Sequence, residues 1–244
     1  MADRFAILDG VNDPTPGFTN LKTQLSNVRS ERGFAALYYP WITVPNTLTG
    51  KQDSMPPSGH IAGIYARTDQ SRGVHKAPAN TYIRNSTGVV RRLTNEQQGP
   101  LNLSGIDIIR VFPDSAQPLV WGARTTSRNT NWQYINVRRL FLYLEESIEQ
   151  GINWAIFEPH NPALWKKLKR SITEFLTRVW GDGALFGNKA EEAFYVRIDD
   201  VLNPPSSLAL GRLTLEIGLR PTYPAEFIVV RIGIWQGGSE ITES

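Results

Sequence analysis

The chain has no cysteine, only three histidines and only two methionines among its 244 residues. Without cysteine there is no disulfide, no thiolate metal site and no thiol nucleophile, and a reducing compartment is compatible without being required. The histidines, His60, His75 and His160, have no second histidine or carboxylate at metal-ligand spacing, so no metal and no cofactor is expected. A run of the roughly 20 apolar residues that span a membrane is also missing, and no membrane insertion is expected. Met1 to Phe5 lead straight into a strand pattern without the layout of a signal peptide, which predicts a soluble chain outside the Sec route. Charge of one sign is absent too. The net charge is +3 from 26 basic and 23 acidic residues, too balanced to indicate nucleic acid as a partner. What is present, 41% hydrophobic and 20% charged residues, is the composition of a globular protein with a real core, in one large or two small domains.

Read along the chain, RFAILDG, then Leu21, Leu25 and Val28 at helical spacing, then GFAALYYPWITV predict strand, helix and strand. Such a βαβ unit requires parallel strands. In PPSGHIAGIYARTDQSRG, Ser58 is the expected N-cap, and Ile61, Ile64, Tyr65 and Thr68 share one helical face. Residues 74–101 are polar and read as loop, after which GIDIIRVF and PLVWGART are expected strands joined by PDSAQ. This half is predicted to be an α/β sheet domain over residues 1–125.

A polar linker is expected at residues 125–131 (TTSRNTN). Beyond it Val137, Leu140, Leu144 and Ile148 mark a helix predicted to stop at Gly151. NWAIFE is read as a strand. Asn161-Pro162 is an N-cap followed by proline in the first turn, and Trp165, Leu168, Ile172, Phe175 and Val179 continue the clearest helical stripe in the chain. AFYVRID and RLTLEIGL complete an α+β second half, residues 126–244. The run at 226–235 is apolar on both faces and is expected to be a strand, a ready template for pairing with another molecule. There is no internal repeat.

Few residues suggest chemistry. AILDG places Asp9 at the end of the first strand and SGHIAG places His60 at a helix start, surroundings in which subtilisin-type proteases carry an aspartate and a histidine. No serine in a glycine-flanked helix start follows downstream, so no triad is complete; Asp9 capping a turn and His60 as a polar surface residue is the favoured account. GDGALFG (residues 181–187) follows a helix instead of joining a strand to a helix start, and reads as a C-cap and turn, not a phosphate loop. Lys166, Lys167, Lys169 and Arg170 crowd the first turns of their helix, where the macrodipole mildly disfavours cations. A solvated face and a contact with an acidic surface of another protein are equally good accounts of that cluster. A salt-sensitive nucleic-acid site there is not expected.

The segments RGFAALYYPWI, PPSGHIAGIYARTD, GVHKAPAN, VWGART, INVRRLFLYLEESI, FEPHNPALW, FLTRVWGDGALFG and PAEFIVVRI, in that order, resemble the tail sheath proteins of contractile phage tails and related injection machines. The resemblance covers nearly the whole chain. It implies a partial subtilisin-like α/β domain followed by an α+β C-terminal sheath domain, and a structural protein without catalysis; a degenerate subtilisin-like hydrolase is the alternative. It further implies subunits stacked in six-fold helical layers around an inner tube, with copies of itself, the tube protein, baseplate and tail-terminator proteins as partners. The implied location is a virion tail or extracellular injection particle, assembled in the bacterial cytoplasm. Family members usually carry a further stretch before RFAILDG, so a fragment or a short member is expected. Within this frame Lys166, Lys167, Lys169 and Arg170 are expected to face the inner tube. Residues 234–244, with Ile234, Trp235, Gly237, Gly238 and Ile241, are expected to form an arm that adds to a sheet of a neighbouring subunit.

Overall fold

The computed structural model describes residues 3–113, 115 and 117–227. The chain opens with β1 (Ala6–Asp9), α1 (Thr19–Asn27) and β2 (Ala35–Tyr39), and β1 lies parallel to β2 with Ala6 opposite Ala35 and Asp9 opposite Tyr38. Every residue of β2 is buried, as a central strand covered on both faces must be. There follow β3 (Ile42–Pro45), β4 (Gln52–Met55), α2 (Ser58–Arg72), β5 (Thr81–Tyr82), β6 (Gly88–Val89), α3 (Asn95–Ser104), β7 (Ile106–Arg110) and β8 (Leu119–Val120). The main sheet has the order β1-β2-β7-β8-β5; β1, β2 and β7 are parallel, and β8 and β5 are antiparallel to their neighbours. A smaller antiparallel sheet has the order β4-β3-β6.

Side-chain alternation assigns the helices to opposite faces of the main sheet. Leu37, Tyr39, Ile106 and Ile108 pack with Leu21 and Leu25 of α1 and Leu101 of α3. Ala36, Tyr38 and Ile109 pack with Ile61, Ile64 and Tyr65 of α2. The helical face predicted for α2 is the buried one, Thr68 included.

The second half contains α4 (Ile135–Ile152), α5 (Pro162–Gly181), α6 (Ala190–Ala193), β9 (Phe194–Arg197), α7 (Pro205–Ala209) and β10 (Glu216–Leu219), with β9 and β10 antiparallel. Its own core joins Leu140 and Leu144 of α4, Ile172, Leu176 and Val179 of α5, and Phe194 and Val196 of β9. Asn161 caps α5 as expected, its Oδ1 accepting the Leu164 amide at 3.0 Å. GDGALFG is the C-cap and turn it was expected to be, with Asp182 as C-cap and Gly183 at φ 82°.

Several expectations are corrected. GFAALYYPWITV is two strands in different sheets, because Pro40 cannot donate to a ladder and β2 ends before it. Ser58 is the first residue of α2 and not its cap; Pro57 holds that position. PLVWGART forms only the two-residue β8 before Gly122 ends the ladder. Within the stretch read as loop, Thr94 and Gln97 form a capping box that starts α3, each side chain bonding the other's backbone. The TTSRNTN segment is anchored at its start and exposed at its end: Thr125, Thr126 and Ser127 are buried, the Thr126 amide donates to the Ala35 carbonyl at 2.8 Å, and residues 128–131 are exposed. α4 runs through Gly151 to Ile152. NWAIFE contains a 3-10 turn, Asn153–Ala155, and no strand, and the consecutive Ile156 and Phe157 are both exposed, so neither face of this stretch is covered as a strand of apolar residues requires. Of the run at 226–235, Glu226 and Phe227 lie outside any strand; the rest is beyond the described residues.

Candidate functional site

The main sheet and the returning C-terminal segment meet at a cluster of polar groups. β7 carries Asp107 in the middle of an apolar sequence, and its neighbour in the sheet, β8, runs into Gly122. A Cβ at Gly122 would sit 2.6 Å from Asp107 Oδ1 and 2.8 Å from Asn102 Oδ1, so only glycine allows this approach. Immediately after it, the Arg124 amide donates to Asp107 Oδ1 at 2.7 Å, and Arg124 forms an antiparallel bridge with Tyr134. These bonds hold Asn102, Arg124 and Tyr134 around one point.

That point is the carboxylate of Glu226. Arg124 Nη2 donates to Oε2 at 2.6 Å and Arg124 Nε to Oε1 at 2.9 Å, the bidentate geometry in which arginine grips carboxylates best. The Tyr134 hydroxyl donates to Oε2 at 2.9 Å and Asn102 Nδ2 to Oε1 at 2.7 Å. The ion pair is largely enclosed, with side chains 12% and 16% exposed. Residues 220–226 reach it by crossing back from the second half: Leu185 bridges Pro221, the Thr222 amide donates to the Ala184 carbonyl at 3.1 Å, and Asn136 Nδ2 donates to the Thr222 carbonyl at 3.3 Å. A cavity of about 730 Å³ lies beside this crossing, lined among others by His75, Lys76, Trp121, Tyr134 and Tyr223.

Protonation follows from these contacts. Burial would raise the pKa of Glu226, but the hydrogen bonds from Arg124, Tyr134 and Asn102 outweigh it and hold the carboxyl below its ordinary range. Asp107 goes the other way: it is wholly buried, and burial raises it well above the ordinary value of 3.8 despite the Arg124 amide, with the Glu226 charge adding to the rise. Its Oδ2 and Asn102 Oδ1 are buried without a hydrogen-bond partner. Because the folded pKa is raised, stability from this group is full below the unfolded value near 3.8 and is lost as pH climbs toward the folded value. Asp107→Asn should therefore match the native chain near about pH 4 and melt at higher temperature at about pH 8, by several degrees. Thermal denaturation across pH checks this; a variant that matches the native chain near about pH 4 but melts lower at about pH 8 would show that the carboxylate is needed ionised.

The residues singled out from sequence fall elsewhere. Asp9 ends β1 and its Oδ1 accepts the Ser58 amide at 2.7 Å, so it caps the start of α2, two residues before His60. No hydrogen bond among the described residues joins Asp9 to His60. Lys166, Lys167, Lys169 and Arg170 are exposed on α5; Arg170 faces Glu174 at 3.7 Å, and Lys167 Nζ lies 4.2 Å above the Trp154 ring. Ile234, Trp235, Gly237, Gly238 and Ile241 lie outside the described residues. Asn102, Asp107, Arg124 and Tyr134 were not found from sequence. The available signals were an aspartate inside IDIIR, where a central strand should be apolar, and the Thr94–Gln97 capping spacing.

Residues 1–126 match the family model for the phage tail sheath protein central domain, and residues 127–234 match that for the phage tail sheath C-terminal domain. A putative prophage major tail sheath protein of Pseudomonas aeruginosa is 27% identical over 91% of this chain and 55% of its own length. The tail sheath protein of Burkholderia phage BcepMu is 30% identical over 82% of this chain and 41% of its own. Among solved structures, a chain of the sheath complex of the PVC extracellular contractile injection system in the contracted state superposes with a TM-score of 0.84 at 34% identity, over 93% of this chain and 63% of that one. A chain of the anti-feeding prophage baseplate superposes with a TM-score of 0.81 at 38% identity, over 95% of this chain and 60% of that one. This chain thus spans 41% to 63% of the length of these relatives. On these matches the chain belongs to the phage tail sheath protein family.

Proposed function

We propose that this chain is a structural subunit of a contractile tail sheath, assembling with copies of itself in helical hexameric layers around an inner tube and driving that tube through a target envelope by contraction. The observation that carries the reading is the superposition on a sheath chain in its contracted state over 93% of this chain. In this reading the first half is part of a subtilisin-like α/β domain, ending near residue 125, and residues 126–244 form the sheath's C-terminal domain. Parallel strands covered by helices on both faces, and separate cores for the two halves, are in keeping with that division. Copies of the chain, a tube protein, baseplate and terminator proteins are the partners, in a phage tail or an extracellular injection particle assembled in the cytoplasm.

Two surfaces serve assembly in this proposal. The exposed Lys166, Lys167, Lys169 and Arg170 face an acidic surface of the tube, where charge complementarity guides docking and is screened by salt. The C-terminal residues, from Ile234 onward, join neighbouring subunits by strand addition, and the seat of Glu226 sets where they depart from the body. Catalysis has no part in it: Asp9 is occupied as a cap, and nothing favours the hydrolase alternative. The test is electron microscopy of the full-length subunit expressed with its tube protein. Striated tubes that shorten on contraction are the expected result; soluble monomers that never polymerise would overturn the reading.

A further inference from the structure

The turn leading into α5 presents an aromatic ring to solvent at a cost. Phe157 is fully exposed (103%) and its backbone has φ 68°, the left-handed region that a bulky residue adopts only under strain. Ile156 beside it is 62% exposed. Among the described residues nothing covers the Phe157 ring, so nothing there offsets the strain.

The turn is nevertheless firmly placed. The Ile156 amide donates to the Asn153 carbonyl at 3.3 Å and the Glu158 amide to the Ala155 carbonyl at 3.2 Å, and the His160 ring meets Trp165 of α5 edge-on at 5.7 Å. Lys167 Nζ over the Trp154 ring ties the turn to the basic stretch of the helix. The exposed Ile156 and Phe157 thus lie on the turn that Trp154 joins to the basic stretch through Lys167. Glu158 lies on the same turn and Glu174 is engaged by Arg170, so the cations of the patch outnumber its carboxylates.

We propose that Phe157, with Ile156, is an apolar anchor that inserts into a nonpolar socket on the acidic face of the inner-tube protein, with Lys166, Lys167 and Lys169 meeting the carboxylates around it. The proposal rests on the tube-contact reading of the basic cluster. Charge complementarity selects an acidic partner, and a rigidly presented aromatic inside a polar rim is the usual anatomy of a contact that carries binding energy. The charges set the salt dependence of attachment, and the anchor supplies a part that salt does not screen.

The test compares cosedimentation of the full-length subunit with assembled tubes over a salt series, for the native chain, Phe157→Gly and Lys166→Glu/Lys169→Glu. Phe157→Gly should melt no lower than the native chain, because glycine adopts φ 68° without strain. It should bind at least about tenfold more weakly at every salt concentration, with the native salt slope, as loss of a central aromatic anchor implies. The lysine reversal should lose affinity mainly at low salt and flatten the slope. Native binding by Phe157→Gly beside a weakened lysine variant would overturn the anchor and leave the tube contact standing. Native binding by both would overturn both. Loss of subunit self-association by Phe157→Gly with tube binding intact would place a second copy on the patch and overturn the proposal.

Discussion

Arg124→Ala should release residues 220–227 from the first half of the molecule and lower stability by about 2–4 kcal/mol. Arg124 supplies both arms of the grip on Glu226, at 2.6 and 2.9 Å, and without it the carboxylate keeps only Tyr134 and Asn102 in a nearly enclosed place. Removing one partner of a buried pair costs about 3–5 kcal/mol because the other charge is left uncompensated; the lower figure here reflects the 12% and 16% exposure that lets some water in. The Arg124 amide bond to Asp107 is backbone and survives the substitution. Chemical denaturation should show the loss, and amide exchange should show faster opening at Thr222, whose amide donates to Ala184. Adding Glu226→Gln to the alanine variant should restore much of the loss, since the stranded charge is then gone. If the double variant is as unstable as the sum of the single ones, the pair is not coupled and the site is not a clamp.

Acid should open the same clamp. A carboxylate held below its ordinary range contributes stability that is present above the unfolded pKa and lost as pH falls through the folded one. Glu226 and Asp107 therefore slope in opposite directions: the first loses stability as pH falls below the ordinary value of 4.5, and the second as pH rises above 3.8.

Local pattern carried the helices and central strands. The α2 face, the Asn161 cap and the parallel βαβ start each depend on residues within one or two turns of each other, so periodicity and capping reveal them. Pro40 is plain in the sequence, but the apolar residues on either side of it read as one continuous strand. NWAIFE misled because an apolar hexapeptide can be a strand or a displayed surface, and only the presence or absence of a covering layer decides. The Glu226 seat was illegible for a different reason: Asn102 and Glu226 are 124 residues apart, and Arg124 and Glu226 102 apart, so no local rule joins them. Asp107 alone was anomalous in place, a carboxylate in a central strand, and such a residue marks a buried polar site before its partners are known.

Gly122→Ala tests that site more severely than loss of any single charge. The new methyl would meet Asp107 Oδ1 at 2.6 Å, Asn102 Oδ1 at 2.8 Å and the Asp107 Cα at 2.9 Å. Two of these neighbours are side-chain oxygens that could rotate away, but the third is backbone of β7, paired with β2 on one side and β8 on the other. Overpacking of this kind costs about 1–3 kcal/mol where neighbours can yield, and more where they cannot. The rotations that would relieve it break other bonds: turning Asp107 loses the Arg124 amide, and turning Asn102 loses one donor to Glu226. Each buried group left unpaired adds about 1–3 kcal/mol, so the total should approach the whole stability of a domain of this size. The expected result is a chain that is largely insoluble, or that melts at least about ten degrees below the native one with residues 220–227 already exchanging freely. Gly63→Ala, at a helical position with open space around its Cβ, is the matched control and should be neutral or mildly stabilising. Equal stability of the two variants would mean that β7 and β8 can part at this point, and the convergence on Glu226 would then be a loose contact instead of a fixed seat for residues 220–227.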